Sequence, residues 1–320
     1  MAENEITAAQ HLLSIIQSRL TGRYSVKTPP IYTSKAPKPI LPRKLNKLQF
    51  LKIDAKEIAR QLTLMEANLF SKIQADELLK KGRQKSDSSN TPEPAANIKA
   101  SIRFFNQLSN WVGTLILAES DLKKRAHVIG HIVDVANACL NLQNYSAVIS
   151  ILSSFESAPI YRLVRTWAMV TERTCNVLKP MQMTTSSAQN YHAYRETLRV
   201  AVPPCIPFLG LFLKDLTFTR DGNPSLTPEG LINFSKCTLL ASTIQEFQRF
   251  REASYSLQPV PELQEFLATQ LQSASELHDM WDRSCELESR GREDNRRRDL
   301  YTPTGGMTTA MVIACMVLDD

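Results

Sequence analysis

From Leu48 onward the apolar residues recur three and four apart, the period of one helix face, and strict apolar–polar alternation is scarce. Ile58, Leu62, Met65 and Leu69 form one such stripe. Ile98, Ile102, Phe105, Leu108, Val112 and Leu115 form a longer one, and Val128, Ile132, Val135 and Cys139 another. A chain patterned this way buries its stripes by packing helix on helix, so an all-α fold is predicted. It is read as a single large domain of about 240 residues whose layered helices share one core. Ten glycines and 17 prolines in 320 residues, with 43% hydrophobic residues, exclude collagen-like and largely disordered classes.

Local signals divide the chain further. A short amphipathic helix is expected at 5–20. Five prolines between Pro29 and Pro42 then break helix and strand alike, so 21–46 reads as an extended linker. Asp54 with Glu57 three residues on reads as a capping box that starts the first body helix. The polar run 81–96 is a loop. Helices are expected at 121–142, 145–155, 159–172 and 186–200. Thr227-Pro228 reads as an N-cap followed by proline at the first helical position, opening a helix to about residue 253. Helices near 260–287 complete the body, and the charged stretch from 288 is expected to be a solvated, irregular tail.

Motifs for chemistry are sparse. No GxGxxG, GxxxxGK[ST] or GxSxG occurs. Six cysteines (Cys139, Cys175, Cys205, Cys237, Cys285, Cys315) include no CxxC pair and read as buried reduced thiols. Of the five histidines, His127 and His131 lie four apart on a helix. With no HExxH and no third ligand, a structural role is the stronger reading, and no metal or cofactor is expected. The opening MAENEITAAQ lacks a basic-then-apolar start, and no apolar run reaches about 18 residues, so neither a secretory signal nor a membrane span is expected. The net charge of +6 sits largely in the flanks 35–52 and 290–298, with no nucleic-acid signature, so nucleic acid is not the expected partner.

The most unusual segment is 203–224. Pro203, Pro204 and Pro207 lead into a helix carrying Phe208, Leu211, Phe212 and Leu216, closed by the turn Asp221-Gly222-Asn223-Pro224. Pattern alone favours a core helix; the alternative is a projecting helical hairpin whose far face meets a partner.

The residues VPPCIPFLGLFLKDLTFTRDGNPS (202–225) and GLINFSK (230–236) resemble the catalytic domain of Ras-family guanine-nucleotide exchange factors. Four further blocks agree in order: 57–79, 97–112, 144–167 with its Tyr-Arg-Leu-x-x-Thr-Trp signature, and 190–198. The LTFT stretch (216–219) is similar to fungal members. The resemblance implies a helical bowl with a protruding hairpin over 48–287, flanked by 1–47 and 288–320. It implies a cytoplasmic protein, recruited to the membrane surface through a Ras-like or Rap-like small GTPase. Its hairpin would displace switch I of that GTPase while core helices hold switch II, so that GDP leaves without covalent chemistry.

By the same resemblance, Phe208, Lys214, Thr217 and Asp221 are the hairpin residues that act on the GTPase. Arg103, Asn106, Ile149, Glu156, Asn190 and Tyr191 are its contacts on the body, and Tyr161 and Arg162 are structural supports. Glu156 stands where many members have asparagine, Arg83 where some have tryptophan, and Leu239 where some have a basic residue. Thr217 is smaller than the usual leucine. The Glu156 and Thr217 departures motivate an alternative, a GTPase-binding scaffold that keeps the fold without exchange.

Overall fold

A computed structural model describes residues 36–80, 95–251 and 253–289. The helix expected at 5–20, His11, Arg83, Cys315 and the greater part of the 21–46 linker, the 81–96 loop and the tail lie outside them. Glu288, placed at the start of the solvated tail, is instead buried, because its carboxylate accepts from Arg125 and from the Thr166 N–H and hydroxyl. A 3₁₀ turn (Phe50–Lys52) precedes α1 (Ala55–Phe70) and α2 (Ala75–Lys80). Then follow α3 (Ala96–Ala118), α4 (Leu122–Asn141) and α5 (Tyr145–Glu156). Two short helices, α6 (Ala158–Tyr161) and α7 (Val164–Ala168), lead to α8 (Glu172–Thr185) and α9 (Ala188–Val200). α10 (Leu209–Asp221), α11 (Phe234–Arg251), α12 (Pro261–Gln272) and α13 (Leu277–Leu287) complete the order. Among the described residues there is no strand, only the isolated bridges Asn144–Ile206 and Leu226–Ile232.

Side-chain caps set several helix starts. Asp54 accepts from the Lys56 N–H, Asp121 from Lys124 and Asn144 from Ala147. The capping-box reading of Glu57 is corrected: its carboxylate turns inward. It accepts from the Ile40 N–H at 2.9 Å, from Gln61 Nε2 at 2.7 Å and from Arg60 at 3.0 Å, and so ties the segment before the 3₁₀ turn to α1.

α5 is buried from Tyr145 to Phe155, as a helix at the centre of a layered domain must be. Its small residues fit that position: the Ser150 hydroxyl donates to the Phe105 carbonyl at 2.7 Å and Ser153 to its own Ile149 carbonyl at 2.8 Å. Gly113 on α3 serves the same close packing, since a Cβ there would lie 2.6 Å from Met280 Sδ on α13.

The apolar side chains form two clusters rather than one shared core. The first joins α1, α3, α4 and α5 to α12 and α13, with Leu62, Leu108, Trp111, Ile132 and Leu152. The second contains Phe70, Ile73, Ile98, Phe105, Tyr194, Phe208, Phe212 and Phe247. α3 feeds both. Its Phe104 and Leu108 face one cluster, its Ile102 and Phe105 the other, so one long helix carries two faces.

The second cluster seats a helical hairpin. Lys236 at the start of α11 bonds the Arg220 carbonyl at the end of α10, while Phe247 further along α11 packs 5.4 Å from Phe212 near the start of α10. The two helices therefore run antiparallel. α10 and α11 thus pair as a hairpin, while Leu211, Phe212 and Leu216 are buried as a core helix would have them. Of the thiols expected to be buried, Cys139 and Cys205 are, whereas Cys237 on α11 is exposed.

Three boundaries differ from the sequence reading. The expected helix 159–172 is two short helices broken at Arg162 and Leu163, and α8 begins after it with Thr171 as N-cap. α11 starts at Phe234, not at Pro228. Residues 226–232 form a tight turn in which Thr227 N–H donates to the Leu231 carbonyl at 2.7 Å and Gly230 takes φ +78°, a conformation that favours glycine. The third is a left-handed turn at the start of α9.

Candidate functional site

The C-terminal half of α5 and the end of α8 leave a cleft of about 270 Å³ between them. Ile149, Leu152, Ser153 and Glu156 form one wall, Gln182 and Thr185 another, and Tyr191 stands at the side. Tyr191 is there because the backbone turns left-handed at Gln189, Asn190 and Tyr191, with φ of 50°, 57° and 61°. Each such residue costs roughly 1–2 kcal/mol. The turn is held by bonds from outside it: Tyr191 N–H donates to the Ser187 carbonyl at 3.3 Å and Arg195 Nε to the Asn190 carbonyl at 2.9 Å.

The cleft is lined mostly by polar side chains, Ser186 and Ser187 among them, and holds two titratable groups. Burial pushes the Tyr191 phenol up to about 12, with the Glu156 charge adding to the shift. Glu156 is exposed at the rim, yet the surrounding walls crowd its carboxyl and raise its pKa.

α10 reaches this cleft from the hairpin. Lys214 Nζ lies 3.1 Å from Asn190 Oδ1, 5.8 Å from the Tyr191 ring centre and 5.6 Å from the Phe218 ring. The next residue, Asp215, takes a bidentate pair of bonds from Arg195 of α9 at 2.7 and 2.8 Å. These contacts fix α10 against α9. Phe208 is the N-cap of α10 and is buried; its N–H donates to the Tyr194 hydroxyl at 2.7 Å, and its ring lies 5.3 Å from Phe105. Phe208 thus packs beneath Tyr191 and is not offered at the surface. Thr217 and Asp221 are exposed, four residues apart on α10, and Phe218 beside them is 64% exposed.

The remaining candidates are spread wider. Arg103 is exposed and Asn106 half-buried on α3, and neither lines the cleft. Arg162 donates to the Ser284 and Glu288 carbonyls at 2.7 and 2.8 Å and lies over Trp281, which binds the 144–167 segment to α13. Tyr161 is exposed next to it. His131 packs edge-on against Phe50 at 4.8 Å, and among the described residues no group of three potential ligands is placed to hold a metal ion. No described helix is long and apolar enough to cross a membrane.

Sequence reading passed over Arg195, Asp215 and Lys236. Arg195 and Asp215 are separated by 20 residues and meet only through the chain reversal between α9 and α10. Lys236 had a signal: Asn233 three residues before it is an N-cap residue type, and its Oδ1 accepts from the Lys236 N–H at 3.1 Å.

Comparison with known proteins gives the family. The RasGEF domain family model matches residues 57–238, more than half of the chain, from the start of α1 into α11. The chain belongs to that family. It is 36% identical over 280 residues to Ras guanine nucleotide exchange factor J of Dictyostelium discoideum, covering 86% of this chain and 33% of the relative. To Ras-specific guanine nucleotide-releasing factor 1 of Rattus norvegicus it is 37% identical over 213 residues, 67% of this chain and 17% of the relative. To Cell division control protein 25 of Candida albicans it is 33% identical over 286 residues, 87% of this chain and 21% of the relative. The chain therefore spans a third or less of the length of these relatives.

Proposed function

We propose that this chain is a guanine-nucleotide exchange factor for a Ras-like or Rap-like small GTPase, with 48–287 as the exchange domain. The observation that carries the reading is a junction: Lys214 of the hairpin reaches Asn190 and Tyr191 at the cleft, and Thr217, Phe218 and Asp221 continue outward on the same helix. A partner seated on the cleft is brought against the hairpin. The names of the relatives, which are Ras exchange and releasing factors, agree with it.

The chemistry needs no proton transfer. A GTPase holds its nucleotide through phosphate contacts and Mg²⁺. The cleft beside Ile149, Glu156 and Tyr191 takes part of switch II, and α10 displaces switch I. The exposed Asp221 carboxylate then disfavours phosphate oxygens nearby, more strongly as water is excluded. Binding of the exchange factor and of nucleotide are antagonistic, and each weakens the other by the same factor. Release and rebinding are both accelerated, so the more abundant nucleotide decides the product.

The test is release of fluorescent GDP from a panel of Ras and Rap GTPases, with excess unlabelled GTP. Acceleration is expected with at least one member. A panel released at its intrinsic rate throughout sinks the proposal.

A further inference from the structure

The hairpin's working face lies at the far end of α10, where a helix leaves its last carbonyls without partners. One of these is met by Gly222, whose N–H donates to the Phe218 carbonyl at 2.9 Å. A Cβ at Gly222 would stand 2.9 Å from that oxygen, so the turn closes tightly only with glycine. Two more oxygens, the carbonyls of Arg220 and Asn223, point at one spot. Lys236 Nζ occupies it, at 2.7 Å from Arg220 O, 2.6 Å from Asn223 O and 3.2 Å from Ser225 Oγ.

The residue is 8% exposed, and its ammonium donors are met by these three oxygens. A cation here also suits the negative end of α10. Asn233 adds to the seam: its N–H donates to the Ser225 carbonyl and its Nδ2 to the Pro224 carbonyl, both at 3.0 Å. Beyond this seam the tip is an apolar surface closed by its own tight turn at 226–232. Leu226, Leu231, Ile232 and Phe234 are each more than half exposed. That turn shapes the tip, but little side-chain packing fixes it against α10, and the polar bonds converging on Lys236 do so instead.

We propose that Lys236 is a positioning residue for exchange: it clamps the return of the hairpin to the end of α10, so that Thr217 and Asp221 are presented rigidly. The functional half of the proposal rests on the exchange reading; the clamp itself does not. The ammonium acts through α10 and touches no nucleotide.

The test compares the full chain with Lys236→Met and Lys236→Arg. Methionine keeps an unbranched chain one atom shorter and removes cation and donors, whereas arginine keeps both. Exchange kinetics at varied GTPase concentration are measured beside amide hydrogen exchange. In the methionine variant the maximal rate should fall about tenfold with KM within about twofold, because placement of the acting groups is lost while the cleft is kept. Amides 221–235 should exchange faster, and those of α5 should keep their protection. Arginine should recover part of the rate. An unchanged maximal rate in a variant of an active chain overturns the proposal. So does unchanged protection of 221–235, or a loss of protection that extends through α5 and marks Lys236 as a residue of the fold at large. If the unmodified chain accelerates no GTPase, the exchange reading falls by that result, and the positioning role falls with it. The hydrogen exchange then decides whether the clamp exists.

Discussion

Glu66→Gln should stabilise the protein at alkaline pH and flatten its pH dependence. The Glu66 side chain on α1 is fully enclosed, and burial pushes its carboxyl up to about 7, against opposing hydrogen bonds from Ser146 and Asn144. Its Oε2 has no hydrogen-bond partner, which an ionised oxygen would need. The folded protein thus holds a proton that the unfolded chain releases near the usual glutamate value. As pH rises between the two values, the unfolded state binds fewer protons than the folded one, and stability falls; above about 7 both are ionised and the loss levels off. A difference of that size gives between about 2 and 3 kcal/mol lost from pH 5 to pH 8, from 1.36 kcal/mol per unit. Glutamine keeps the shape and cannot ionise. Urea unfolding at pH 5 and pH 8 should show the wild-type chain losing that amount from this group and the variant lacking the loss. Equal pH dependence in the two proteins would refute the argument that Glu66 is held protonated by the fold.

Other substitutions probe the site and its supports. Arg195→Gln and Asp215→Asn should each loosen α10 from α9, and a double-mutant cycle should return a coupling of about 1 kcal/mol for this partly exposed bidentate pair. Both variants should also slow nucleotide release; a coupling near zero in thermal unfolding would remove the pair from the account. Glu288→Gln should destabilise by roughly 3 kcal/mol, because it strands Arg125, a buried cation 3.2 Å away. Urea unfolding measures this, and a loss well under that figure would mean the Thr166 and Glu119 contacts of Arg125 suffice. Glu156→Asn restores the side chain seen in many family members and should raise affinity for the GTPase at unchanged thermal stability. Titration of the nucleotide-free GTPase decides it, and equal affinity would show that position 156 does not bear on the partner.

The all-α class was legible because helical spacing needs only residues three and four apart, all on one strand of sequence. Ile58, Leu62, Ile98, Val128 and Ile132 are buried where that spacing placed them. Asp54, Asp121 and Asn144 follow the same logic, since a cap bonds its own helix. What failed was non-local. Thr227-Pro228 carries a local start signal, yet residues 226–232 close on themselves through the Leu226–Ile232 bridge, and the helix waits for Asn233. Glu57 looks like half of a capping box, but Ile40 and Gln61 supply better partners. The left-handed turn at 189–191 has no glycine to announce it, and depends on Arg195 and Lys214. Of the candidate site residues, Ile149, Glu156 and Tyr191 share the cleft, with Asn190 and Lys214 at its edge. Those came from resemblance, since their spacing of 7 and 35 residues carries no period that chemistry requires.

The central claim is that this chain and a guanine nucleotide compete for one GTPase. It is tested most directly by measuring the affinity of the chain for a responsive GTPase, first free of nucleotide and then at rising GDP with Mg²⁺. Tight binding to the empty GTPase is expected, with an affinity that falls steadily as GDP is added. An affinity indifferent to GDP would contradict it and leave a scaffold that binds without prying the nucleotide loose.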